Sequence, residues 1–186
     1  MNTHLTLTPL TPAQMPAYRA LYEASFPPSE RKELDYMLSG PNASAYDVLV
    51  ISAPDRDVAG MVILVCHGGL CMLDYFAIAP DLRGHGIGRA VLPLIRERCK
   101  GKFFLEIETP APHCDPRDVC ENQEQRVRRK AFYLSAGLAE TGVHAFIYGN
   151  DMELLAYPED AGDITFEGYN ALLRATFPAG MEAERI

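Results

Sequence analysis

Three alternating glycines, Gly84, Gly86 and Gly88, lie between a strand-like run and a helix-like run of the sequence. The run before them, residues 70–79, is apolar and β-rich, and residues 87–99 after them have helical spacing. Alternating glycines let successive backbone N–H groups point into one concavity, and a helix start adds unpaired donors and a positive dipole end. Because such a junction suits phosphate oxygens, the sequence predicts a phosphorylated cofactor.

The residues around these glycines distinguish three kinds of phosphate loop. A P-loop requires lysine and a hydroxyl residue after its last glycine, and neither follows Gly88. The dinucleotide pattern G-x-G-x-x-G fails in both frames, since its last position falls on Arg89 or Val91. The pattern Arg/Gln-x-x-Gly-x-Gly/Ala is met by Arg83, Gly86 and Gly88. A glycine-rich turn without a ligand is the alternative reading.

This loop resembles the pyrophosphate loop of the GNAT superfamily of acyl-CoA-dependent N-acyltransferases, and the resemblance covers roughly residues 58–148. The predicted element order, β–α–α–β–β–β–α–β–α–β–β, is also the GNAT order. The resemblance implies a mixed α/β fold, with a mostly antiparallel central sheet flanked by helices and a splay between strands 4 and 5. We expect an N-acetyltransferase domain over residues 1–157, followed by an extension over 158–186 with one helix at 166–177.

The resemblance implies acetyl-CoA as the co-substrate. In this family the pantetheine arm lies along the fourth strand, so one backbone N–H of the segment Phe76, Ala77 and Ile78 is expected to stabilise the thioester oxygen. The pyrophosphate is expected on the loop that follows the strand. The cofactor-binding residues implied there are Arg83, Gly84, His85, Gly86, Ile87, Gly88 and Arg89.

A second motif, residues 129–138, resembles the family segment A-x-x-F-Y-x-x-x-G-F, with Arg129 and Leu138 at its two departures from the pattern. The tyrosine of that segment is the general acid of many members, so the resemblance implies that Tyr133 protonates the leaving thiolate. A phenol with an ordinary pKa near 10 can do this. The alternative is that Phe132 and Tyr133 pack in the core of an amphipathic helix.

An attacking amine must lose a proton, and a carboxylate is the common acceptor. Glu106 and Glu108 stand two positions apart in the predicted strand 103–108 and therefore share one face. Acidic residues are poor strand formers, so this pair indicates a role as base and ammonium binder. The alternative is that they face solvent or pair with arginines of the predicted helix 123–136.

Composition restricts the class of partner. The net charge of the 186-residue chain is −8, which argues against nucleic acid and mildly favours a cationic acceptor. No apolar run is long enough for a membrane span. The five cysteines are an odd number, which predicts reduced thiols in the cytoplasm. His113, Cys114 and Cys120 lack the paired spacing of a zinc site, so no metal is predicted.

Together these features predict an enzyme that moves an acetyl group from acetyl-CoA to a primary amine by direct attack. Tyr133 would be the general acid, and Glu106 and Glu108 would assist deprotonation of the amine. The expected state is a monomer or homodimer, and the long loop at 109–122 is a candidate lid. The alternative is a non-catalytic acyl-CoA-binding regulatory module, which keeps the glycine loop but does not catalyse acetyl transfer.

Overall fold

The computed structural model describes residues 4–111, 113–178 and 181–186, and the chain forms two compact units. The first unit contains the chain up to Val65 and again Leu73–Cys99. The second contains the short segment Cys66–Met72 and everything from Lys100 onward. The second unit is therefore built from two separate stretches of chain.

The first unit is an antiparallel sheet with helices packed on it. In chain order its strands neighbour one another in the sheet, and Val50 of the second strand lies opposite Met61 of the third. The elements are β1 (Thr6–Pro9), α1 (Met15–Ser25), α2 (Leu34–Ser39), β2 (Tyr46–Ala53), β3 (Arg56–His67), β4 (Leu70–Ile78) and α3 (Ile87–Arg98).

The core of the first unit explains why β2 and β3 form. Both strands are nearly continuous apolar runs, the pattern of strands that are covered on both faces. Tyr18 and Tyr22 of α1 are buried against these strands in one hydrophobic cluster. The Tyr18 hydroxyl donates to the carbonyl of Val62, which satisfies its polar end inside the core.

The second unit is also antiparallel, with strand order β5-β7-β6-β8. Glu106 of β5 lies opposite Leu154 of β7, and Ala145 of β6 lies opposite Arg185 of β8. Its elements are β5 (Lys102–Glu108), α4 (Gln123–Ser135), β6 (Ala139–Ile147), β7 (Asn150–Ala156), α5 (Pro158–Ala161), α6 (Phe166–Thr176) and β8 (Glu184–Arg185).

The predicted mixed α/β fold class is confirmed, and the predicted elements are present to within a few residues. The start of the first helix differs from its sequence signal: Thr11 followed by Pro12 is typical of an N-cap, yet residues 11–14 form a turn and α1 begins at Met15. The reason is local, because the Gln14 side chain accepts hydrogen bonds from both the backbone and the hydroxyl of Thr11. The splay between strands 4 and 5 and the domain boundary at residue 157 stay predictions.

The expectation of reduced cysteines is wrong for four of the five. Cys66 is bridged to Cys71 and Cys114 to Cys120, while Cys99 is unbridged. Each bridge joins cysteines only five or six positions apart and so closes a short loop. The number of cysteines in a sequence does not reveal such local pairs. Among the described residues, no helix combines the length and apolarity that crossing a membrane requires.

Candidate active site

The predicted phosphate loop is an exposed turn that joins β4 to α3. Gly84 and Gly86 have φ angles of 78° and 79°, a left-handed conformation that side-chain-bearing residues rarely adopt. Apart from the adjoining residues of the chain, no atom of the described residues lies within 4 Å of the position that a Cβ would take at either glycine. The two glycines are therefore needed for the path of the backbone, and the space above them is open to a ligand.

The helix that follows the loop, α3, presents its first backbone N–H groups at the glycine loop. Gly86 is the N-cap of α3 and lacks a side chain that could satisfy the first N–H groups. The first turn carries no acidic residue, while Arg89 lies exposed within it. An anion would meet the positive end of this twelve-residue helix without a competing carboxylate.

Two other basic residues of the loop make backbone contacts. The Arg83 Nε donates to the carbonyl of Ile78 at 2.9 Å, so this side chain folds back on the end of β4. His85 Nδ1 lies 3.3 Å from the carbonyl oxygen of Leu82. These contacts fix the shape of the loop, and both residues remain exposed.

The segment of β4 before the loop is held close to β3. A Cβ on Gly60 would lie 2.7 Å from the carbonyl oxygen of Ala77, so only glycine permits this approach. Ala77 is buried, whereas Phe76 and Ile78 are half-buried. The three residues therefore form a closely packed strand end that precedes the glycine loop.

Tyr133 lies near the end of α4 and is only 9% exposed. Burial raises the pKa of its phenol to about 12, although the nearby Arg129 acts in the opposite direction. Within the described part of the chain its hydroxyl has no hydrogen-bond partner. The phenol is thus protonated at neutral pH and has its proton available for donation.

The two candidate carboxylates share a strand but have different partners. The Tyr169 hydroxyl of α6 donates to Oε2 of Glu106. Glu108 forms ion pairs with two arginines of α4, through Oε1 to Arg126 at 3.3 Å and through Oε2 to Arg129 at 2.8 Å. The alternative of arginine pairing therefore holds for Glu108.

The long loop after β5, residues 109–122, is anchored by the buried side chain of Arg126. Arg126 is 1% exposed; its guanidinium donates to the carbonyl of Thr109 at 3.1 Å and to both oxygens of Asp118, at 2.6 and 3.1 Å. Burial would raise the pKa of Asp118, but hydrogen bonds from Arg126 and from two backbone N–H groups outweigh it and lower that pKa. Arg126 therefore anchors the loop to α4, and the role of the loop as a lid stays a prediction.

Two further buried polar groups, Asp74 and Tyr169, were not among the residues predicted from the sequence. Asp74 of β4 is paired with Lys32, whose Nζ lies 2.7 Å from each carboxylate oxygen, and burial raises the Asp74 pKa although Lys32 opposes the rise. The position of Asp74 inside the apolar run 70–79 could have indicated a buried, paired carboxylate from the sequence alone. Tyr169 gave no signal, because its role depends on the packing of α6 against β5.

Each unit thus holds one part of the predicted site. The first unit carries the complete loop and the strand end before it. The second carries Tyr133, Glu106 and Glu108 and brings Glu108 to α4 and Glu106 to α6. Of the side chains weighed as zinc ligands, Cys114 and Cys120 are bridged to each other, and the described residues contain no group of three or more suited to a metal ion.

Comparison with known proteins identifies the fold. A solved structure from Bacteroides thetaiotaomicron, assigned to the GNAT family, is 22% identical, with a TM-score of 0.71 and coverage of 95% of this chain and 99% of that chain. The ribosomal-protein-S18-alanine N-acetyltransferase of Escherichia coli is 19% identical, with a TM-score of 0.55 over 83% of this chain and 93% of its own.

A third structure, a GNAT family acetyltransferase from Elizabethkingia anophelis with acetyl-CoA bound, is 16% identical, with a TM-score of 0.57 over 82% of this chain and 97% of its own. A search of curated proteins gave no match. The profile of the acetyltransferase (GNAT) family matches residues 13–114, more than half of the chain. The chain therefore belongs to the GNAT family of acetyltransferases.

Proposed function

We propose that this protein is an N-acetyltransferase that moves an acetyl group from acetyl-CoA to a primary amine by direct attack. The observation that carries the proposal is the exposed loop with left-handed Gly84 and Gly86 at the start of α3, a shape suited to a pyrophosphate. The bound acetyl-CoA of the Elizabethkingia anophelis structure supports this choice of co-substrate.

The reaction breaks one bond and forms another. The neutral amine attacks the thioester carbonyl carbon, a C–N bond forms, and the C–S bond breaks to release the CoA thiolate. We assign stabilisation of the developing oxyanion to a backbone N–H in the segment 76–78. Tyr133 gives its phenolic proton to the thiolate, which leaves as the thiol. The cofactor phosphates are assigned to Arg83, Gly84, His85, Gly86, Ile87, Gly88 and Arg89.

The proton of the amine is assigned to a carboxylate of β5, and Glu106 suits this role better than Glu108. Both oxygens of Glu108 are engaged by guanidinium groups, whereas the Glu106 carboxylate accepts from the neutral phenol of Tyr169. Glu108 assists indirectly. Its partner Arg129 lies one helical turn before Tyr133, so this ion pair orients the helix that carries the general acid.

The loop is tested by Gly86→Val, with Gly142→Val as the matched control. Both glycines have nearly the same φ, 79° and 76°, and both have open space at the Cβ position, so backbone strain is similar. Calorimetry should show CoA affinity reduced at least about tenfold in the first variant, which corresponds to about 1.4 kcal/mol, and unchanged in the control. Equal CoA affinity in both folded variants would reject the loop as the cofactor site.

Catalysis is tested by the release of free thiol from acetyl-CoA with a panel of primary amines. Turnover with at least one amine supports the proposal. Tight binding of acetyl-CoA without turnover across the panel would support the alternative, a non-catalytic acyl-CoA-binding module. Tighter binding of NAD than of CoA would contradict both. A cytoplasmic location and a monomeric or homodimeric state stay predictions.

A further inference from the structure

Arg129 opens the second motif, residues 129–138, at a position where the family pattern has alanine. The proposed reaction uses it only as the ion-pair partner of Glu108. It stands four positions before Tyr133 on α4, so the two side chains share one face of the helix. A long side chain on a helix points back over the preceding turn, which brings the phenol of Tyr133 toward Arg129.

A carboxylate of β5 holds the Arg129 side chain. Nη1 of Arg129 donates to Oε2 of Glu108 at 2.8 Å, and the two side chains are 37% and 24% exposed. The other oxygen of Glu108 lies 3.3 Å from Arg126, which is itself paired with Asp118. The guanidinium of Arg129 is therefore held between α4 and β5, where a solitary arginine would extend into solvent.

Proton donation by Tyr133 leaves a charge in a buried place. Its O–H bond breaks and an S–H bond forms on the CoA thiolate, so the negative charge moves to the phenolate, which regains a proton from water after the products leave. Burial raises the pKa of this phenol to about 12, above the value of about 8.5 for an ordinary thiol, so the transfer is uphill. Among the described residues, the charge that opposes this rise is that of Arg129.

We propose that Arg129 is a positioning residue of the proposed reaction: Glu108 holds its guanidinium where the positive charge stabilises the phenolate that Tyr133 becomes. An opposite charge nearby favours the ionised form of a group, and here it offsets part of the cost of burial. The remaining charged groups of the cluster, Arg126 and Asp118, are paired with each other. The inference rests on the proposed function, because it requires Tyr133 as the general acid.

The test places a ring-fluorinated tyrosine at position 133. Fluorine makes the phenol more acidic, and its NMR signal reports the titration of this residue alone. In Arg129→Gln the pKa of the phenol should rise by about 1, and thiol release at saturating substrates should slow by up to about tenfold. Arg129→Lys keeps the charge and should stay close to the wild type. Arg128→Gln is the matched control, because it removes the same charge from a 71% exposed side chain paired with Glu124, and it should change neither value.

An unchanged pKa at position 133 in Arg129→Gln would overturn the proposal, as would an equal rise in Arg129→Lys or in Arg128→Gln. If Arg129→Gln does not fold, Arg129→Ala takes its place, since alanine is the residue of the family pattern and favours a helix. The titration requires no turnover. Normal turnover of Tyr133→Phe would remove the general acid itself, whereas slow turnover of that variant with an unresponsive titration would overturn only the role of Arg129.

Discussion

At the residue scale, burial has two opposing effects on Tyr133 as a proton donor: it keeps the phenol protonated, and by raising the pKa it makes the phenol a weaker acid toward the thiolate. Its pKa, raised by burial to about 12, keeps the proton in place throughout the neutral range. A phenol donates only while it is protonated, so its contribution is retained from acid to alkaline pH and is lost only as the pH rises through about 12. The absence of a hydroxyl partner among the described residues leaves the proton free to transfer.

Tyr133→Phe removes one oxygen and keeps the packing ring. We expect the chemical step to slow by roughly 10²- to 10⁴-fold with little change in CoA affinity or melting temperature, measured by stopped-flow thiol release and a melting curve. Tyr18→Phe is the control, since it deletes a buried hydroxyl that bonds the Val62 carbonyl and should lower stability without slowing turnover. Turnover of the Tyr133 variant within a few-fold of wild type would leave water as the proton source.

Glu106 and Tyr169 make a second prediction at this scale. If Glu106 accepts the amine proton, Glu106→Gln should slow turnover most near neutral pH and less at alkaline pH, where neutral amine is abundant. Tyr169→Phe removes only the hydroxyl that contacts Glu106, so it should change the same pH profile by a smaller factor of about ten. An equal loss at every pH would assign both residues to packing instead.

At the scale of elements, the hydrophobic periodicity and the positions of the turn glycines were sufficient to predict the long helices and strands. The ends of β3 and α4 are set by the turn at Gly68 and Gly69 and by the left-handed Gly137. α5 and β8 are too short to produce a pattern. The loop glycines could be predicted because their function lies in the backbone, whereas the partners of Glu106 and Glu108 depend on how separate helices pack against β5.

The short helix α5 has a role larger than its length. Asp160 is 1% exposed and accepts from the backbone N–H of Phe103 at 3.0 Å, which satisfies the buried start of β5. Asp160→Ala should lower the free energy of unfolding by about 2 kcal/mol in a denaturant titration. The Nζ of Lys102 lies 3.5 Å from an oxygen of Asp160 and 2.9 Å from an oxygen of the exposed Asp163. Asp163→Ala, which removes only an exposed ion pair, should have little effect. Similar losses of unfolding free energy in both variants would mean that Asp160 stabilises the fold through its ion pair with Lys102 and not through the Phe103 N–H.

At the scale of the whole molecule, the extension after residue 157 contributes to the second unit. It supplies Asp160 and the buried Tyr169, whose ring packs edge-on against Phe104. A chain ending at Tyr157 should therefore melt at a markedly lower temperature or fail to unfold cooperatively. A chain ending at Ala183 loses only β8 and should melt near the full-length value. Equal melting of all three chains would make the extension dispensable for folding.

The anchored loop after β5 also bears on how fast a ligand can enter the open pocket of about 690 Å³ that Thr109, Asp115 and Lys130 line in the second unit. Arg126 contacts Asp118 and the Thr109 carbonyl, and the Cys114–Cys120 bridge closes a short loop that contains Asp118. If these contacts keep the loop fixed, a ligand needs no opening step before it binds, whereas a lid would need one. The observed association rate should then rise linearly with ligand concentration without reaching a plateau, and differences in affinity between ligands should reside in their residence times.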